Sequence, residues 1–155
     1  MPFQISALPA EPFRPLFGLS DAALAEHGVI RRTVDAKPGF PCRISLEDAE
    51  PGETVLLLNY EHQPADTPFR SRHAIYVREN GPQAALALGE LPPVFATRVI
   101  SLRAFDDAGM MLDAAVAKGD EIIPAIDRLL DNPQAAYLHA HYAGMGCYAA
   151  RIDRA

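Results

Sequence analysis

The chain has 155 residues, of which 49% are hydrophobic and 22% are charged, and its formal net charge is −6. This length and composition predict one globular domain over residues 1–155 that needs neither disulfides nor a metal ion to fold. The scattered basic residues argue against a nucleic-acid surface, which is usually a dense cluster of lysine and arginine. The most apolar run, residues 55–58, is far too short to span a bilayer.

The N-terminal segment and the cysteines indicate the cellular compartment. Residues 1–15 lack both the basic region and the continuous apolar region of a secretory signal. We therefore expect a cytoplasmic protein in which Cys42 and Cys147 are reduced thiols, with a disulfide between them as the less favoured alternative. Arg43 is expected to form a salt bridge beside a buried Cys42.

The first half of the chain predicts short strands and one helix. Four prolines keep residues 1–17 extended, with one short edge strand at residues 3–7. Ser20 is a good N-cap and Gly28 a good residue just beyond a C-terminus, so residues 21–27 are predicted to be helical. Further strands are predicted at residues 29–34, 54–60 and 74–78. The run at 54–60 is apolar on both faces, which is typical of a central strand.

The segment between the two halves is ambiguous. Its alanines and leucines at residues 83–93 favour helix, whereas Gly89 and the two prolines that follow interrupt it. Residues 97–105 and 110–117 then predict two strands joined by a hairpin loop.

A helix is predicted to begin near Glu121 and to end at Asn132. Its apolar positions have the 3.6-residue spacing of a helix face, namely Ile122, Ile126, Leu129 and Leu130. With the hairpin that follows, the predicted fold class is α+β: a mostly antiparallel sheet with two or three short helices and a C-terminal β-hairpin.

Residues 136–142 and 147–153 predict the arms of that hairpin. If the even-numbered residues of both arms line one core, even positions must pair with even positions, which requires a loop of odd length. Residues 144–146 supply one, with a glycine for the left-handed position. The predicted opposite pairs are His139 with Arg151, His141 with Ala149, and Ala143 with Cys147.

In this register His139, His141 and Cys147 share the face turned away from the core. Two imidazoles and a thiolate could hold zinc. Alternatively, His141 could favour the thiolate of Cys147, which would then act as a catalytic nucleophile. In the third interpretation the face is half wet, the histidines pair with Arg151, Asp153 or a covering loop, and Cys147 is a packing residue.

Other polar residues predict a binding surface. Arg70, Arg72 and His73 make a basic loop that could capture a small anionic ligand through bidentate arginine contacts. His62 ends the apolar strand, where binding residues commonly lie, and it should point away from the face of Glu61.

These residues leave three functional hypotheses open. The first is a small-molecule-binding or accessory module that uses the polar face around His139, His141 and Arg151, with Arg70 and Arg72 at its rim. The second is an enzyme with a His/His/Cys metal site or an activated Cys147. The third is an interaction protein, most simply a homodimer formed through an unpaired strand edge.

Three stretches resemble a known family. They are C-R-I-S-L-E-D-A-E-P-G-E-T-V-L-L-L-N-Y-E-H (42–62), T-P-F-R-S-R-H-A-I-Y-V-R-E (67–79) and Y-L-H-A-H-Y-A-G-M-G-C-Y-A-A-R-I-D-R (137–154). In this order and spacing they resemble the bacterial family catalogued as domain of unknown function 1203. The resemblance implies a single-domain cytoplasmic protein and gives no residue a role.

Overall fold

The computed structural model describes residues 2–155, which form eight β-strands and two α-helices. The strands are β1 (Phe3–Ser6), β2 (Ile30–Thr33), β3 (Thr54–Gln63), β4 (Ser71–Arg78), β5 (Ile100–Phe105), β6 (Met111–Ala117), β7 (Tyr137–Tyr142) and β8 (Tyr148–Arg154). The helices are α1 (Asp21–Glu26) and α2 (Ile122–Leu130). One sheet has the order β1-β8-β7-β5-β6 and the other β2-β3-β4, with antiparallel neighbours throughout. The predicted α+β class and C-terminal hairpin are confirmed.

Both helices form where their end signals and apolar spacing predict them. The Ser20 side chain accepts a hydrogen bond of 3.1 Å from the backbone N–H of Ala23 at the start of α1, and Gly28 follows the helix with a left-handed φ of 72°. The four apolar residues predicted for α2 are all buried against the five-stranded sheet. Helix α2 therefore covers one face of that sheet.

Strand β3 is the central strand of the smaller sheet, as its two apolar faces predict. It continues three residues beyond the predicted end at Tyr60, after an irregularity in its pairing with β4. The ambiguous segment at residues 83–93 forms no α-helix. Its backbone instead bonds to neighbouring segments, with Ala84 donating to the carbonyl of Ile44 and Gly89 to that of Phe3, each over 2.8 Å.

The C-terminal hairpin departs from the predicted register at one point. His139 lies opposite Arg151 as predicted, but a β-bulge after Ala140 places Tyr148 opposite His141. The predicted partner Ala149 is the extra residue of the bulge, and it packs into the core on the α2 side. One added residue reverses the face on which each following side chain lies. Tyr148 therefore lies on the face of His139 and His141, contrary to the prediction that it would share the core face with Leu138.

The face of the five-stranded sheet opposite α2 is also covered. Tyr148 packs there in a second apolar cluster with Leu56, Leu58 and Ile75 of the smaller sheet. The interpretation of this face as half wet is therefore wrong. Both cysteines are free thiols, and in the described part of the chain no helix combines the length and hydrophobicity that crossing a membrane requires.

Candidate metal centre

Three histidine side chains meet between the two sheets. His62 lies near the end of β3, and His139 and His141 lie two residues apart on β7, so both project from the same face. The ring centroids of His62 and His141 are 4.9 Å apart, and each lies 6.3 Å from that of His139. Each residue offers one ring nitrogen, and these three nitrogens lie within 4.8 Å of one another. We call these residues the histidine cluster.

The cluster is buried and short of hydrogen-bond partners. Solvent reaches 8% of His62, 5% of His139 and 1% of His141. Within residues 2–155 no partner reaches the buried Nδ1 atoms of His62 and His139 or the buried Nε2 of His141. Unpartnered buried polar atoms cost free energy and are uncommon, so three in one place indicate a function.

The backbone fixes the tautomer of His141. Its Nδ1 lies 2.8 Å from the carbonyl oxygen of Gly146 in the hairpin loop. A carbonyl oxygen only accepts hydrogen bonds, so Nδ1 of the neutral ring carries the proton and donates it. The Nε2 atom is thereby left with a free lone pair. A carbonyl that orients an imidazole in this way is a common partner of metal-binding histidines.

All three imidazoles are neutral at neutral pH. Burial lowers the pKa of His62 to about 4, with a further contribution from the charge of Arg103. Burial and the neighbouring histidines lower the pKa of His139 to about 3. Burial also lowers the pKa of His141 to about 3, against the opposing effect of its hydrogen bond to Gly146. Neutral imidazole is the form that binds metal ions.

Aromatic rings pack around the cluster. The Tyr148 ring stacks on His62 at 5.6 Å and meets His139 and His141 edge-on at 5.1 and 5.8 Å. The rings of Phe105 and Tyr137 lie 5.0 and 5.2 Å from that of His139. Tyr148 reaches this position only because of the bulge in the hairpin.

Arg103 contributes a positive charge beside the cluster. It lies on β5 directly opposite His139, and its Nε donates a 3.3 Å hydrogen bond to the Ser101 hydroxyl. Arg103 pairs with no carboxylate in residues 2–155, and burial lowers the pKa of its guanidinium. The site therefore combines three neutral nitrogen ligands with one cation that has no counter-ion. Sequence reasoning did not select Arg103.

Cys147 lies outside the histidine cluster. Of the predicted His/His/Cys set the cluster contains His139 and His141, with His62 as its third member. The bulge places Tyr148 opposite His141, where Ala149 was predicted, and Cys147 packs against the core on the α2 side. The Nδ1 of His141 bonds to the carbonyl of Gly146 and not to the thiol.

The predicted arginines of the binding surface have partners at the exterior. Arg70 forms an exposed ion pair of 3.2 Å with Glu61, and Arg72 donates to the side-chain oxygen of Asn59. Arg151 makes a forked contact with Asp153 at 3.0 Å, and its guanidinium lies 4.2 Å above the ring of Tyr137. None of the three belongs to the histidine cluster.

A comparison with protein families matches residues 39–154 to the family described as "Protein of unknown function (DUF1203)". The chain belongs to the DUF1203 family. The matched region of this DUF1203 protein contains the whole histidine cluster, Arg103 and Tyr148. Searches of curated proteins and of solved structures found no match.

Proposed function

We propose that this DUF1203 protein binds one zinc ion, or another late first-row transition-metal ion, through His62, His139 and His141. The observation that supports the proposal is the convergence of three buried imidazoles, whose ligand nitrogens lie within 4.8 Å of one another. Imidazole suits Zn²⁺, Cu²⁺ and Ni²⁺, whereas Mg²⁺ and Ca²⁺ prefer oxygen ligands. The cluster includes no carboxylate in the described residues, which disfavours the oxygen-seeking cations.

The spacing of the nitrogens is close to that of a loaded site. Zinc–nitrogen bonds of about 2.0–2.1 Å in a tetrahedron place the nitrogens roughly 3.4 Å apart. Because no two of the nitrogens are more than 4.8 Å apart, the most distant pair has to approach by at most about 1.4 Å, which small rotations of the rings can supply. The hydrogen bond to Gly146 keeps the lone pair of His141 directed into the cluster.

Three histidine ligands leave one coordination position open. Structural zinc sites usually have four protein ligands, whereas catalytic ones have three and bind water or substrate at the fourth position. The unpaired guanidinium of Arg103 lies beside the cluster and favours an anion there. The proposed activity is thus metal-assisted binding of a small anion, for which the bound metal supplies Lewis-acid attraction.

The test is a titration of the metal-free protein with Co²⁺, whose visible absorption reports coordination. We expect one equivalent to bind with a tetrahedral spectrum, and zinc to displace it. His62→Gln, His139→Gln and His141→Gln should each weaken binding at least tenfold, because each removes one of three ligands. Circular dichroism establishes that each variant is folded.

Two matched variants make the titration specific. His27→Gln removes an exposed histidine at the end of α1 and should bind Co²⁺ like the wild type. Cys147→Ser should also leave the spectrum unchanged, which separates a three-histidine site from a His/His/Cys site. The proposal fails if no Co²⁺ binds at micromolar concentration, or if the Cys147 variant loses the metal while the His62 variant keeps it.

A further inference from the structure

A separate cleft of about 580 Å³ opens beside the loop of the β7–β8 hairpin. Its walls are mostly apolar and include Leu57, Ala74, Val99 and Met145, and none of the three cluster histidines lines it. Val99 and Met145 expose 42% and 87% of their surface. The volume lies within the range of roughly 300–1,000 Å³ that is typical of small-molecule sites.

One wall of the cleft carries a buried cation without a counter-ion. Arg43 lines the cleft, yet only 1% of its surface is exposed. Its Nε donates to the carbonyl of Tyr148 at 2.8 Å and its Nη1 to that of Pro41 at 2.6 Å. Both of these acceptors are backbone carbonyls, and in residues 2–155 no carboxylate forms an ion pair with Arg43, which overturns the predicted salt bridge. Burial of an uncompensated charge is costly, so its retention indicates a ligand.

A buried hydroxyl without a partner lies on the same wall. Tyr142 lines the cleft and is 6% exposed, and its hydroxyl has no hydrogen-bond partner within residues 2–155. Two guanidinium groups lie over its ring, that of Arg43 at 5.0 Å and that of Arg98 at 5.1 Å from the ring centroid. Arg98 is already neutralised by a forked ion pair with Asp48. The wall of the cleft therefore carries one net positive charge and, buried directly behind its surface, one hydroxyl donor without a partner.

We propose that this cleft binds a monocarboxylate with an apolar body, whose carboxylate contacts Arg43 and Tyr142 and whose hydrocarbon lies against Leu57, Val99 and Met145. A single uncompensated guanidinium matches one negative charge, and the apolar walls match a hydrocarbon. The site is independent of the histidine cluster, because it shares no residue with it.

The probe is decanoate, titrated into isotope-labelled protein below its micelle concentration and followed by amide chemical shifts. We expect saturable binding of one equivalent, with shifts at Tyr142, Val99 and Met145. The neutral analogue 1-decanol should bind at least about tenfold more weakly than decanoate, because it cannot form the charged hydrogen bonds.

Two variants test the contacts without disturbing Arg43, whose removal could unfold the chain. Tyr142→Phe deletes only a hydroxyl that has no partner within the protein, and it should weaken decanoate binding about tenfold while the fold stays intact. Val99→Trp should block the cleft. Its matched control, Val116→Trp, lies at a site on β6 that is 68% exposed and outside the cleft, and it should bind decanoate normally.

Equal affinity for decanoate and 1-decanol would overturn the proposal, since charge recognition would be absent. Unchanged binding in both Tyr142→Phe and Val99→Trp would also overturn it, because decanoate would then occupy another surface. Failure of decanoate to bind up to its micelle concentration would do the same. Binding by the His62→Gln variant at wild-type strength would show that the cleft works without the metal site.

Discussion

Lowering the pH from about 7.5 to about 5.5 should destabilise the metal-free protein, because the histidine cluster is buried in its neutral form. In the unfolded chain each imidazole takes up a proton near its ordinary pKa of about 6.5. In the folded protein the pKa is about 4 for His62 and about 3 for His139 and His141. Between these values the unfolded state binds more protons, so stability falls as the pH falls.

The size of the effect follows from the three shifts. At pH 5.5, one pH unit below the ordinary pKa, each buried histidine lowers the free energy of unfolding by about 1.4 kcal/mol. At about pH 7.5 it lowers it by almost nothing. Together they predict a loss of about 4 kcal/mol, a large fraction of the 5–15 kcal/mol that is typical of a domain. The acidic groups with lowered pKa values, Glu79 at about 2 among them, are protonated only at lower pH and do not contribute in this window.

The assay is urea unfolding of the metal-free protein at pH 7.5, 6.5 and 5.5, in the presence of a chelator. With a denaturant slope of about 2 kcal/mol per molar, the midpoint should fall by about 2 M across the series while the slope stays constant. Between pH 7.5 and 5.5 the free energy of unfolding of the His139→Gln variant should fall by about 1.4 kcal/mol less than that of the wild type, because one of the three titrating groups is gone.

His27→Gln is the control for this series, because it removes an exposed imidazole and should leave the pH dependence intact. The reasoning would be refuted if wild-type stability were the same at pH 7.5 and 5.5. It would equally be refuted if His139→Gln and His27→Gln had the same pH dependence, since the buried neutral imidazoles would then not be its source.

Three further predictions concern stabilisation by zinc, packing in the core and the conformation of the hairpin loop. Zinc at a thousand times its dissociation constant should raise the free energy of unfolding by about 4 kcal/mol, and chelation should reverse the gain in a thermal melt. Ile126→Ala should cost about 2–5 kcal/mol in urea unfolding, because the side chain is fully buried between α2 and the sheet. Gly146→Ala should cost about 1 kcal/mol, since its φ of 81° strains any residue with a Cβ atom although the space there is open. If Ile126→Ala left the free energy of unfolding unchanged, the packing of α2 would be contradicted. If Gly146→Ala left it unchanged, the turn geometry would be contradicted.

Local signals in the sequence determined most of the fold. The cap at Ser20, the glycine at position 28 and the apolar spacing of Ile126 with its neighbours each depend on a few nearby residues, and each formed as predicted. The left-handed glycine of the hairpin loop is also a local feature, and Gly146 has the expected conformation. Such features need no knowledge of which strands meet in space.

The histidine cluster depends on long-range strand pairing, so the sequence predicted only some of its members. Alternation showed that His139 and His141 share a face. The alanines at the bulge resemble any other strand residues, so no local signal indicated that Tyr148 would lie opposite His141 in place of Ala149, or that Cys147 would pack on the other face. His62 had a readable signal, because Leu58 and Leu56 lie two and three steps of alternation before it on a buried face. That pattern indicated burial of His62, but it did not indicate which sheet would cover it.

The most direct test of the central claim is X-ray absorption spectroscopy of the zinc-loaded protein. The three-histidine site predicts imidazole nitrogens at about 2.0–2.1 Å, with the multiple-scattering pattern of histidine rings and no sulfur at about 2.3 Å. A sulfur ligand would implicate Cys147 and contradict the cluster of His62, His139 and His141. Failure of the protein to retain zinc through gel filtration would contradict the metal site altogether.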